Sequence, residues 1–112
     1  MRIGGTLFVL GLSLRAVTVE AQDAVRVEAS KEGFRPKVVN VRKGESLRLQ
    51  LSSSDSEHCF ALEAFRVEKR ILPGKTTTVD LVPDRTGTFP FYCCLETGAA
   101  ADREHGRLVV TE

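Results

Sequence analysis

The sequence lacks an apolar run long enough to cross a bilayer. Its longest uncharged stretch, residues 3–14, is well short of the roughly 20 residues of a membrane-spanning helix. This stretch follows Arg2, and Val19-Glu20-Ala21 then fits the small-x-small pattern of signal-peptidase sites. We therefore expect residues 1–21 to be a cleavable signal peptide and residues 22–112 to be a mature domain without a membrane span, periplasmic or secreted.

The mature chain also lacks an excess of charge of either sign. Removing residues 1–21 takes two arginines and one glutamate from the 16 basic and 15 acidic residues, which leaves 14 of each. Proteins that bind nucleic acid or anionic membranes usually present a basic face. The balance gives no electrostatic case for either partner, and we expect no nucleic-acid binding.

Helical spacing of apolar residues is nearly absent, and there is no internal repeat or low-complexity linker. Apolar residues instead alternate with polar ones in short runs, as in half-buried strands. A polar turn at residues 42–45, which contains Gly44, predicts a hairpin between two of these runs. Six or seven short strands predict a single all-β domain, a sandwich or barrel. The runs are 25–28, 39–41, 47–51, 58–62, 76–81, 88–94 and 106–111.

Motifs of enzymes are missing as well. The chain has no Ser/His/Asp order, no paired carboxylates in a common motif and no glycine-rich phosphate loop. Cys93 and Cys94 are adjacent, whereas thiol oxidoreductases place two residues between their cysteines at a helix start. We therefore expect no enzymatic activity.

Metal-binding side chains are few but grouped along the predicted strands. His58 opens one strand, Cys93 and Cys94 close another, and His105 precedes the last. A thiolate with imidazoles is a ligand set that copper and zinc favour. On spacing alone, a histidine at a strand start is more often a solvated or hydrogen-bonded structural residue than a metal ligand. The three cysteines are an odd number, so any disulfide leaves one thiol.

Six segments of the chain carry a family resemblance: residues 32–38, 41–45, 58–60, 72–76, 87–93 and 106–110. Together they resemble the cupredoxins. The pattern is similar to the copper-binding periplasmic domain of cytochrome c oxidase subunit II and to small soluble plastocyanin-like proteins. The resemblance covers almost the whole mature chain and implies a Greek-key β-sandwich.

The resemblance also implies a copper site, although the ligand pattern is incomplete. His58 falls on the first histidine ligand of the family and Cys93 on its first cysteine ligand. The family's second cysteine, second histidine and methionine fall on Thr97, Ala101 and Glu104. His105 lies one residue after the methionine position. The expected copper ligands are therefore His58, Cys93 and His105, with Glu104 or Cys94 as a fourth.

Two functions follow from this resemblance. The first is an exported copper-binding protein that acts in electron transfer or copper delivery with a redox or copper-delivery partner protein. Its rigid sandwich would hold the ligands so that little rearranges between Cu(I) and Cu(II). The second is a metal-free binding or structural module with a degenerate copper site, which the loss of three family ligands favours.

The resemblance further implies that Cys59 and Cys94 are neighbours. In cupredoxins the strand with the first histidine runs near the strand that ends in the ligand cysteine, and Cys59 and Cys94 each follow one of these ligands. Strand alternation directs both side chains away from the face of His58 and Cys93. We expect a Cys59–Cys94 disulfide that leaves Cys93 as the thiol; the alternative is three reduced cysteines.

Overall fold

The structure, a computed structural model, describes residues 24–95 and 105–112. The predicted signal peptide, residues 1–21, and the loop with Thr97, Ala101 and Glu104 lie outside the described residues. The described chain forms nine strands and a 3-10 turn at Glu63–Phe65. The strands are β1 Ala24–Ser30, β2 Gly33–Arg35, β3 Val38–Arg42, β4 Leu47–Ser53, β5 His58–Leu62, β6 Val67–Ile71, β7 Thr77–Leu81, β8 Gly87–Tyr92 and β9 His105–Thr111.

The strands form two sheets that face each other. One sheet has the order β2-β1-β4-β7 and the other the order β3-β9-β8-β5-β6. β1 runs parallel to β4, and β3 runs parallel to β9, whereas the other pairs are antiparallel. This arrangement confirms the predicted all-β sandwich. In the described part of the chain, no helix is long and apolar enough to cross a membrane.

The core between the sheets is built on three phenylalanine rings. Phe34 lies 5.9 Å from Phe60 and 5.3 Å from Phe91 between ring centroids, both edge to face, and Phe60 lies 4.9 Å from Phe91. Edge-to-face pairs of this kind stabilise a core beyond the area they bury. β5 and β8 carry two of the rings, so the core fixes the position of β5, which begins at His58, and of β8, which Cys93 directly follows.

The predicted hairpin at residues 42–45 is wrong. The turn exists, with Gly44 at φ 83° and the Glu45 amide donating to the Arg42 carbonyl at 3.1 Å. However, β3 pairs with β9, and β4 pairs with β1 and β7, so the turn crosses from one sheet to the other. Alternating apolar residues fit both arrangements, because the inner faces of two packed sheets share one core.

Two strands have no counterpart in the sequence prediction. β6 is an edge strand in which Glu68, Lys69 and Arg70 are exposed in succession, so its sequence does not alternate. β2 has only three residues and is also an edge strand. Charged residues and short length keep an edge strand from pairing with other chains. The same features remove the alternation of apolar and polar residues by which a strand is predicted from sequence.

Candidate metal centre

His58 is the buried polar side chain at the centre of the candidate site. It begins β5, and none of its surface is exposed. Burying an imidazole is costly unless its nitrogens have partners. Its Nε2 lies 2.7 Å from Oδ1 of Asp55, a residue in the loop between β4 and β5. This hydrogen bond fixes the orientation of the ring.

Asp55 is itself held by several donors. Its Oδ2 accepts a bond from the Lys31 amide at 2.8 Å, and its Oδ1 accepts one from the Ser56 amide at 2.6 Å. The hydrogen bond from His58, followed by that from the Lys31 amide, lowers the pKa of the Asp55 carboxyl well below its usual range. The carboxylate is therefore ionised at neutral pH and accepts a hydrogen bond from Nε2–H of His58. In a neutral imidazole, this leaves the lone pair on Nδ1.

Nδ1 of His58 faces the Cys93 thiol. The two atoms, Nδ1 and Sγ, lie 4.0 Å apart, and both side chains are fully buried. The backbone amide of Cys59 also donates to Sγ of Cys93 at 3.4 Å. Hydrogen bonds to a ligand sulfur and apolar surroundings are the features that tune copper–thiolate sites. The structure thus brings together two of the three predicted ligands.

The spacing of these two donors fits a bound metal ion. Metal–nitrogen and metal–sulfur bonds of about 2.0 and 2.3 Å span at most roughly 4.3 Å, and the observed gap is 4.0 Å. An imidazole nitrogen and a thiol sulfur are a donor pair that suits copper chemically. His58 and Cys93 would hold the ion.

His105 lies elsewhere. It begins β9, is exposed, and pairs with Tyr92 across the sheet, with 6.2 Å between the ring centroids. Directly opposed residues share a sheet face, and Tyr92 precedes the inward-facing Cys93, so His105 is on the outer face. In this structure His105 therefore does not share the face on which His58 and Cys93 meet. Its role as a ligand stays a prediction.

The predicted disulfide is confirmed. Cys59 and Cys94 are bonded, with 5.1 Å between their Cα atoms and a sequence separation of 35. The register explains the contact: Ala61 pairs with Tyr92 in antiparallel strands, which places Cys59 opposite Cys94. Cys93 remains outside the disulfide. Cys94, which was predicted as one alternative for the fourth ligand, is half-buried, and its sulfur is bonded to Cys59.

Asp55 was not among the site residues predicted from the sequence. The residue belongs to the polar loop 52–57, whose serines and aspartate indicate a turn without indicating a contact. Its position three residues before His58 is the one available signal. Aspartate side chains commonly accept hydrogen bonds from nearby backbone amides, as Asp55 does from Ser56. This preference does not predict a hydrogen bond to an imidazole.

Sequence comparison finds relatives among oxidase subunits. Cytochrome c oxidase subunit 2 of Thermus thermophilus is 29% identical over 91 residues, which cover 81% of this chain and 67% of the relative. The chain spans 20–67% of the length of the curated relatives it matches.

Solved structures show the same fold. The periplasmic domain of subunit II of cytochrome oxidase of Bradyrhizobium japonicum superposes with a TM-score of 0.71 at 19% identity, covering 85% of this chain and 88% of that one. The metal binding domain of the Cu(I) exporting P-type ATPase of Streptococcus pneumoniae D39, solved with Cu(I), gives 0.69 at 17% identity, covering 87% and 93%. At such identities the likeness concerns the fold alone.

A family model described as a cupredoxin-like domain matches residues 5–110. This range includes both sheets and every strand that positions His58, Cys93 and the Cys59–Cys94 disulfide. With the two-sheet sandwich and the pairing of these side chains across β5 and β8, the match leads to one conclusion: the chain belongs to the cupredoxin-like domain family.

Proposed function

We propose that the protein is an exported copper-binding protein in which His58 and Cys93 are ligands and His105 is the third. The observation that carries this proposal is the buried approach of His58 Nδ1 to Cys93 Sγ at 4.0 Å. A histidine and a cysteine with no exposed surface, placed face to face by two paired strands, have the spacing and chemistry of a soft-metal site.

The surrounding residues prepare these two ligands. Asp55 holds the imidazole so that Nδ1 presents its lone pair to the site, and the Cys59 amide stabilises negative charge on Sγ of Cys93. The β5–β8 pairing and the Cys59–Cys94 disulfide keep the distance between the ligand-bearing strands constant. When bound, copper would supply one-electron chemistry, and a rigid site limits the rearrangement that a change of oxidation state requires.

Electron transfer and copper delivery are the two roles that we propose for such a site, with a redox or copper-delivery protein as partner. The names of the relatives support both, since one is an oxidase subunit and another is the metal binding domain of a Cu(I) exporter. The near-neutral sequence, with a formal net charge of +1, provides no strong field to steer a partner. Recognition would therefore depend on surface shape. We propose no enzymatic activity of the isolated chain.

A periplasmic or secreted location is part of the proposal, with residues 1–21 removed on export. Disulfides persist in oxidising compartments, and the structure contains one between Cys59 and Cys94. The structural neighbour from Bradyrhizobium japonicum is a periplasmic domain. An N-terminus at residue 22 on protein recovered from outside the cytoplasm would support export.

Competition for Cu(I) tests the proposal. The protein is titrated against a chromophoric Cu(I) chelator under argon with ascorbate, which leaves disulfides intact. We expect one Cu(I) per chain and a loss of at least about tenfold in affinity for His58→Ala and Cys93→Ser, since removing a group that only hydrogen-bonds to a metal ligand already costs this much. Asp84→Asn is the control. Asp84 follows Pro83, whose carbonyl accepts a hydrogen bond from the Gly44 amide. Gly44 precedes β4 and Asp55 follows it, so Asp84 lies at the opposite end of this strand from the site.

A metal-free module is the second candidate. It is favoured by the residues at three family ligand positions, Thr97, Ala101 and Glu104, of which only glutamate is a common metal ligand. In the competition experiment this function predicts weak binding that is equal in the wild type, His58→Ala and Cys93→Ser. Such a result would contradict the copper proposal.

A further inference from the structure

We propose that Cys59, Cys94 and Glu68 form a second metal site, which is closed while the two cysteines are joined and opens when their disulfide is reduced. The metal would be a thiophilic cation with a filled d shell, Zn(II) or Cu(I). This site goes beyond the copper site of the proposed function, since it uses neither His58 nor Cys93.

The three side chains converge on the outer face of the second sheet. One ligand atom from each, the two Sγ atoms and a carboxylate oxygen, all lie within 4.8 Å of one another. The strand register accounts for this convergence. Ala61 of β5 lies opposite Glu68 on one neighbouring strand and opposite Tyr92 on the other. Cys59 and Cys94 lie two residues along from Ala61 and Tyr92, so Glu68 is a diagonal neighbour of Cys59. Diagonal neighbours at this spacing are within reach of a long side chain such as glutamate.

The second site lies behind the first. Successive residues of a strand point to opposite faces of the sheet. His58 and Cys93 face each other at 4.0 Å on one side of β5 and β8, whereas the next residues, Cys59 and Cys94, are joined on the other side. A cation held by Cys59 and Cys94 would thus be separated from the first site by the sheet backbone.

Charge and ligand type in this cluster suit a thiophilic cation. Two thiolates and a carboxylate supply three anionic ligands, and zinc sites use all of these types. Arg70 pairs with Cys59 in the β5–β6 register, but its guanidinium is engaged by Glu57 at 2.5 Å. This ion pair draws the positive charge toward the β4–β5 loop.

Opening the site requires an external dithiol. One thiolate of the reductant attacks Sγ of Cys94, which forms a mixed disulfide and expels the Cys59 thiolate. The second thiol of the reductant then closes its own disulfide and releases Cys94. The chain gains two electrons and two protons, and the dithiol loses both. Binding of the cation to the two thiols returns two protons to solvent and leaves the oxidation state of the metal unchanged.

Burial determines the direction of this attack. Cys94 is half-buried and Glu68 is exposed, whereas Cys59 has only 1% of its surface exposed. A reductant reaches the disulfide from the Cys94 side, and a cation enters past Glu68. The mixed disulfide is therefore expected on Cys94.

Cobalt titration of the full chain in a Cys93→Ser background tests the proposal. The sequence has three cysteines, so in this variant any thiolate-to-Co(II) charge-transfer absorption must come from Cys59 and Cys94. The oxidised protein should give no such band. After dithiothreitol treatment and gel filtration under argon, we expect one Co(II) per chain with this band and an unchanged circular dichroism spectrum of the sheets.

Glu68→Gln in the same background tests the third ligand. Removing a group that only hydrogen-bonds to a metal ligand costs about 10–100-fold in metal affinity. For the loss of a ligand itself, we expect the Co(II) dissociation constant to rise at least about tenfold. Glu28→Gln, on β1 of the other sheet, is the matched control and should leave it unchanged. No band after reduction, unfolding on reduction, or equal constants in the two glutamine variants would each overturn the proposal. Because Cys93 is already replaced, failure here leaves the copper proposal standing.

Discussion

Nδ1 of His58 and Sγ of Cys93 lie 4.0 Å apart although the residues are 35 positions apart in sequence. The residues that follow them in sequence form a second contact. Cys59 and Cys94 are also separated by 35 positions and are joined by a disulfide. His58 and Cys93 are thus buried between the sheets, and the Cys59–Cys94 disulfide links the same two segments on the outer face of the sheet. The disulfide holds the ligand pair in register.

Asp55 is expected to be a positioning residue. Asp55→Asn removes the charge that keeps the proton on Nε2 of His58, so Nδ1 is no longer reserved for the metal. We expect the copper dissociation constant to rise about 10–100-fold, as for other outer-shell partners of metal-ligating histidines. The measurement is chelator competition, with Asp84→Asn as the control. Equal constants for the two variants would exclude this role.

His105 is expected to contribute less than His58. Its ring lies on the outer face beside Tyr92, whereas His58 and Cys93 meet on the opposite face. We predict that His105→Ala raises the copper dissociation constant, but by less than His58→Ala does, in the same competition assay. An unchanged constant would remove His105 from the ligand set.

The disulfide is expected to be a main source of stability. For the 35-residue separation of Cys59 and Cys94, the chain-entropy estimate is about 3–4 kcal/mol. The double variant Cys59→Ala, Cys94→Ala should lose about this free energy of unfolding in urea titrations. Peptide mass spectrometry of the unreduced wild type should show this link alone. A link to Cys93, or an unchanged urea midpoint, would contradict the assignment.

Gly106 is expected to tolerate no side chain. A methyl group there would overlap the ring of Phe91 and lie 2.7 Å from the Lys37 carbonyl oxygen. Overpacking of this kind costs about 1–3 kcal/mol. Gly106→Ala should therefore lower the urea midpoint, whereas Gly74→Ala meets no atom within 4 Å and is strained only by its φ of 81°. A Gly106→Ala variant as stable as the wild type would show that β8 and β9 can separate locally.

The sandwich was predictable because alternation marks every strand that buries one face, as Leu47, Leu49 and Leu51 do in β4. Pairing between strands was not predictable in the same way. The turn at Gly44 looks like a hairpin in sequence, yet it crosses between sheets, since the periodicity records only which face is buried. The charged edge strand β6 carries no alternation and was missed.

The site was predictable in part. The resemblance placed His58 and Cys93 on ligand positions, and the fold brings them together. The Asp55 contact depends on how the β4–β5 loop closes against Lys31, which local sequence does not encode. The outer-face position of His105 follows from its register with Tyr92, and register is set by long-range pairing that a short motif does not contain.

The most direct test of the copper site is titration of the oxidised wild type with Cu(II), followed by visible absorption. Thiolate-to-Cu(II) charge transfer requires the Cys93 thiol, because the other two cysteines are joined. We predict a band that saturates at one copper per chain and is lost in Cys93→Ser. Absence of the band in the wild type, or an equal band in Cys93→Ser, would contradict the account.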